Sequence, residues 1–155
     1  MRLAVYNSGV LALVALLLSG CAKPPVPAAA AAPHDATTDP WYRTATEELR
    51  NLTRGANEAY AQDNADKAST LIEQGEPVAS RLLAVPKPSL LAVQAASDLD
   101  ELYGKMLFKN RHYGWARLQF QKNLARWKHW QPRTPDTAAR LHAAQMAIDD
   151  CDKRL

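Results

Sequence analysis

The sequence predicts an all-α fold of about five antiparallel helices, and three observations carry that expectation. From Trp41 to Cys151 apolar residues recur at steps of three and four, the spacing that puts them on one face of a helix. Helix-start signals punctuate the same stretch: Asp39-Pro40, Ser89 and Thr134-Pro135 each set a capping side chain ahead of an apolar run. No segment alternates apolar and polar residues as a half-buried strand would.

The chain opens differently. Arg2 is followed by the apolar run Val10 to Leu18 and then by the small residues Ser19 and Gly20, the three-part plan of a secretory signal. That run is far short of the roughly 20 residues a spanning helix needs. Leu18-Ser19-Gly20-Cys21 resembles the lipobox of bacterial lipoproteins: a leucine, two small residues and a cysteine in that order. The resemblance implies cleavage before Cys21, diacylation of its sulfur and acylation of the new amine. Acyl chains contribute about 0.8 kcal/mol per buried methylene, so two or three hold a protein on a membrane almost permanently. Ala22, where such lipoproteins retained at the inner membrane often carry aspartate, points to the outer membrane, facing the periplasm.

Residues 1–20 are therefore expected to be a signal peptide, 21–38 a lipidated tether and 39–155 the helical domain. Lys23 to Pro33 carries four prolines and little apolar bulk, and reads as a spacer. Cleavage would leave 18 basic and 16 acidic residues. With Cys21 lipidated, Cys151 has no partner for an intramolecular disulfide, and Asp149, Asp150 and Asp152 discourage its thiolate, which makes it structural.

The first helix starts at Pro40 and buries Trp41, Ala45, Leu49, Leu52, Ala56, Ala59 and Tyr60. Gln62-Asp63-Asn64 breaks it and caps a second helix carrying Ala65, Ala68, Leu71 and Ile72. Gly75-Glu76-Pro77 is expected to end or kink that helix, with a short piece from Val78 to Leu83 before the Pro86-Lys87-Pro88 turn. Ser89 caps a helix striped by Leu91, Ala95, Leu99, Leu102, Met106 and Leu107, closed by Asn110-Arg111-His112. The next, from Tyr113 to about Trp130, packs through Ala116, Phe120, Leu124 and Trp127, and Pro132 stops it. From Thr134 the last helix turns Leu141, Ala144, Ile148 and Cys151 inward.

Tyr60, Ala68 and Ile72 align with Phe108, Ala116 and Phe120 at an offset of 48 residues. An aromatic, a short polar turn, a small residue and a bulky apolar one resemble the helical hairpin of tetratricopeptide repeats, and Gly104, Tyr113, Ala116 and Phe120 match that consensus at its own spacings. The repeat period of that family is about 34. Tetratricopeptide-like hairpins and a simple helical bundle both remain open.

Charge is polarised along the chain. Ala36 to Glu101 holds eleven acidic and six basic residues, whereas Lys105 to Arg133 holds eight basic residues and no acidic one. At 100° per residue Trp115, Lys122, Arg126 and His129 share the side of their helix opposite its apolar stripe. Together with Arg111 they are the candidate partner-binding residues, cations supplying charge and the indole a stacking or cation–π contact of about 0.5–1 kcal/mol. Trp127 and Trp130 read as packing residues. The expected partner is another envelope protein, with an anionic envelope lipid or glycan as the alternative; an exported protein disfavours nucleic acid. The competing reading pairs these cations with the acidic helices.

Enzymatic motifs are absent from the sequence. His34, His112, His129 and His142 show no metal-ligand spacing, and there is no phosphate-binding glycine loop or nucleophile elbow. His112 beside Tyr113 is the best remaining candidate and has no partner in sequence. A non-catalytic, lipid-anchored scaffold without cofactor or metal is the expectation.

Overall fold

A computed structural model of the chain describes residues 34–155; the expected signal peptide, Cys21 and the expected proline-rich tether as far as Pro33 lie outside them. A short 3-10 turn (Ala36–Thr38) leads into five helices: α1 (Pro40–Ala61), α2 (Ala65–Leu83), α3 (Leu90–Lys109), α4 (Tyr113–His129) and α5 (Pro135–Asp152). Among the described residues there is no strand, and no helix is long and apolar enough to cross a membrane. The described residues, His34–Leu155, form one compact unit. His34 Nε2 lies 2.9 Å from the Asp39 carboxylate, which also accepts from Trp41 Nε1 at 3.0 Å. Those two partners, His34 first, hold the Asp39 carboxyl below the usual aspartate range. Asp39 thus ends the turn before α1 without using its side chain as a cap.

The other expected caps form. Asn64 accepts from Lys67 N–H, Ser89 from Ala92 N–H, and Thr134 from Thr137 N–H, with the Thr137 hydroxyl accepting from Thr134 N–H in return. Short connections make each helix antiparallel to the next. Cross-contacts fix the two ends of the bundle. At one end Ser89 N–H donates to Tyr42 Oη (2.9 Å) and Gln94 donates to Asp136 (3.0 Å); at the other Lys109 faces Asp63 (3.6 Å) and Arg117 pairs with Asp152.

The α1–α2 and α3–α4 turns have the same hydrogen-bond pattern 48 residues apart. Asn64 N–H reaches Ala59 O and His112 N–H reaches Leu107 O, both at 2.9 Å, while Asp63 (φ 56°) and Arg111 (φ 63°) sit in the left-handed region. A left-handed residue at the helix end lets the following amide turn back onto a free carbonyl.

Two core clusters form. Leu49, Ala56, Ala68, Ile72 and Leu99 are among the buried residues joining α1, α2 and α3. Ala116, Phe120, Ile148 and Cys151 join α4 to α5. Glycine permits the closest approaches. A Cβ on Gly75 would lie 3.0 Å from Leu99 Cδ2, and one on Gly104 would lie 2.6 Å from Phe120 Cε1.

Three expectations need correction. The helix does not end at Gly75-Glu76-Pro77: α2 runs through Pro77 to Leu83, so the two expected pieces are one helix. Pro77 and Glu73 are both exposed, and the carbonyl that proline leaves unbonded can face water. Leu91 is 55% exposed, and Ala92, Val93 and Ala96 are buried instead. Eight residues back from Leu99, a 3.6-residue helix has rotated about 80° off the stripe. Tyr42 is 2% exposed and supplies the inward aromatic at the start of α1, where Trp41 is only partly buried beneath Arg81, 4.2 Å above its ring.

Gly104→Ala is expected to destabilise the protein by about 1–2 kcal/mol, because the clash with the Phe120 ring outweighs the gain in helix propensity. Gly114→Ala, whose Cβ meets nothing within 4 Å, is expected to be neutral or stabilising. Denaturant midpoints of the two variants should move in opposite directions or, for Gly114, not at all.

Candidate functional site

The basic stretch is held largely by the protein itself. Lys105 pairs with Glu101, Lys109 with Asp63, Arg117 with Asp152, and Lys122 and Arg126 both with Asp100. Arg126 departs most from the expected free cation. Its Nη2 lies 2.9 Å from Asp100 Oδ2, its Nη1 donates to Asn123 Oδ1 at 2.6 Å, and both charged side chains are largely withdrawn from solvent (15% and 12% exposed). Lys122 is half exposed and stands 3.7 Å from the other Asp100 oxygen. The reason is geometric. The face of α4 opposite its apolar stripe does not all meet solvent, because the Arg126 side chain reaches over to α3.

Around that pair lies a polar seam. Asn123 Nδ2 donates to the Ser97 carbonyl at 2.9 Å and Trp127 Nε1 to Ser97 Oγ at 2.8 Å, all within buried residues. Trp127 is 1% exposed and meets the Trp130 ring edge-on, as expected of packing residues. Arg140 of α5 stacks over Trp127 at 5.5 Å and donates to Asp98 of α3 at 2.6 Å. α5 therefore packs against α4 and is tied to α3 through side chains near its start.

The remaining candidates are separate. Arg111 is exposed in the α3–α4 turn, Trp115 is 65% exposed at the start of α4, and His129 is exposed near the helix's other end. Arg111, Lys128, His129 and Arg133 form no ion pair among the described residues. Trp115 and His129 are 14 positions apart on one helix, about 21 Å at 1.5 Å per residue, so the two do not act on one small ligand.

The concavity with the most apolar floor and mixed charged rim is one that no single helical stripe in the sequence marks. Between α3 and α5 a cleft of about 490 Å³ opens over α4. Its apolar lining is Phe108, Phe120, Ala143, Ala144, Met146 and Ala147; Glu101, Lys105, Lys109, Arg140 and Asp150 stand around it. Met146 is 45% exposed. A second, polar hollow of about 340 Å³ between α1 and α3 shares Glu101 and Lys105 with it and brings in Arg50 and Arg54. The sequence signal for the cleft is the run of alanines in α5: a helix that presents Ala143, Ala144 and Ala147 toward its neighbours cannot fill the space with its own side chains.

No group of three or more His, Cys, Asp or Glu residues gathers to hold a metal ion among the described residues. Cys151 is fully buried, and burial first, then Asp152 and Asp150, push its thiol above the ordinary range, which disfavours the thiolate. No family model, curated protein or solved structure matches the chain.

Asp100→Asn is expected to cost about 2–3 kcal/mol, since it leaves the Arg126 guanidinium without a counter-charge in a largely buried site. Lys122→Ala should cost less than about 1 kcal/mol, as exposed pairs do. Chemical denaturation of the two variants separates the structural cation from the surface one.

Proposed function

We propose that this protein is a lipid-anchored, non-catalytic scaffold of the bacterial envelope, held by lipidated Cys21 at the outer membrane and facing the periplasm. Its helical hairpins offer the α3–α5 cleft to a segment of another envelope protein. The cleft carries this reading: an apolar floor about 490 Å³ in extent, rimmed by charges of both signs, suits a peptide or helix that buries a few side chains and pairs at its edges. The address rests on Leu18-Ser19-Gly20-Cys21 after an apolar run. The tetratricopeptide-like reading is supported by the two matching turns 48 residues apart and by the Gly104–Phe120 approach, since stacked hairpins of that kind expose concave surfaces.

The partner-binding role moves accordingly from Arg126, whose charge is used within the fold, to the cleft residues Phe108, Ala143, Met146 and Lys105. A double reversal at Lys122 and Arg126 would be a poor probe, because Arg126→Glu sets a second carboxylate against Asp100 and damages the fold itself.

The test is affinity capture of the tagged full chain from detergent-solubilised envelope, beside Ala143→Trp and Met146→Glu. Both substituted side chains are exposed, so thermal melting should leave each variant folded. A partner captured by the native chain and lost at least tenfold in both variants is expected, a change of about 1.4 kcal/mol or more. Equal capture by all three would place binding elsewhere.

A further inference from the structure

A second surface lies at the opposite end of α4 from its Trp130 terminus. Among the described residues, three of the five exposed large apolar side chains gather there: Trp115 (65%), Leu118 (47%) and Leu155 (75%). They border a shallow hollow with Gly114, Arg117 and Asp152. The one acidic side chain lining that hollow, Asp152, is paired with Arg117. Arg111 and Arg154, next in the chain to this group, are exposed and form no ion pair among the described residues. The result is a Trp-centred apolar group flanked by leucines, its one acidic side chain paired with Arg117 and two arginines without ion pairs close by in the chain.

We propose that this patch is a membrane-contact surface, seated at the headgroup–acyl boundary of an anionic bilayer. Tryptophan favours that boundary because its ring is apolar and its N–H polar. The Trp115 Nε1 donates to no protein group among the described residues, whereas Trp41 and Trp127 each donate to a side chain. Leu118 and Leu155 add apolar area that can enter the acyl region, and Arg111 and Arg154 meet phosphate. A sugar stacked on the indole would want free hydrogen-bonding side chains beside the ring, and the two that share the hollow, Arg117 and Asp152, are taken up by each other. A second copy of the chain would bring Arg111 and Arg154 against their own likes.

Chain length permits the contact. α1, with 22 residues, is about 33 Å long, and the patch lies at the end of the bundle away from His34. Thirteen residues separate Cys21 from His34, counting Cys21 itself, and can span at most about 45 Å. A lipid at Cys21 therefore leaves enough chain for the far end to reach the same membrane. The proximity argument rests on the proposed anchor; the patch chemistry does not.

The experiment mixes the intact full chain with phosphatidylglycerol vesicles brominated high on the acyl chains, and with phosphatidylcholine vesicles brominated likewise. Sedimentation in high salt reads the anchor, and quenching of tryptophan emission reads the patch. Quenching of the native chain in phosphatidylglycerol is expected to disappear in Trp115→Phe, which keeps an apolar ring. It should fall at least about threefold in phosphatidylcholine or on reversing Arg111 and Arg154 to glutamate. Salt-resistant sedimentation with quenching unchanged by Trp115→Phe overturns the patch and leaves the anchor standing. Trp115-dependent quenching with sedimentation reversed by salt supports the patch and overturns the anchor. A chain that never sediments overturns both.

Discussion

The fold depends on how α4 is held to α3. Ser97 receives two hydrogen bonds from α4, one on its carbonyl from Asn123 and one on its hydroxyl from Trp127, and three residues along Asp100 receives Arg126. Buried polar groups left without partners each cost about 1–3 kcal/mol, so this set is satisfied together or not at all. It fixes both the rotation and the height of α4 against α3, because indole, amide and guanidinium must each meet one particular atom. The Gly104–Phe120 contact then sets the spacing at the other end of the same pair. A polar seam at one end and a glycine gap at the other leave α4 a single placement.

The position of α5 follows. It buries Ile148 and Cys151 against Ala116 and Phe120 of α4, and its start is tied to α3 by Arg140–Asp98 and Gln94–Asp136. Further along α5 the residues facing α3 are Ala143, Ala147 and Met146, too small or too mobile in shape to close the gap, and the cleft is the consequence. The binding surface proposed for this protein is thus a by-product of where polar bonds end and alanines begin. Its charged rim is already balanced in part by contacts such as Lys105–Glu101 at 2.6 Å, so specificity there comes from shape and apolar fit more than from net charge.

Much of the fold was legible from the sequence because its signals are local. Asn64, Ser89 and Thr134 cap the helices they precede, and the breaks at 62–64 and 110–112 are real turns. Helical periodicity picked out Leu49, Ala68, Leu99, Ala116 and Ile148, all buried. What escaped depends on neighbours. Proline at 77 reads as a helix end unless the freed carbonyl is known to face water. A helical wheel places Arg126 opposite the apolar stripe but cannot know that Asp100 of α3 lies within its reach. The cleft was invisible for the same reason: it belongs to three helices, and no single stripe records a space between them. Trp115, by contrast, was expected to be exposed and is, in the first turn of its helix.

The most direct test of the cleft is site-specific photocrosslinking in the cell that makes the protein. A photoreactive side chain at Ala143, on the cleft, is compared with one at Gln74, exposed on α2 away from it. The account predicts one discrete higher-mass adduct from position 143 and none from position 74. Adducts of equal yield from both positions, or an adduct from position 74 alone, would contradict it.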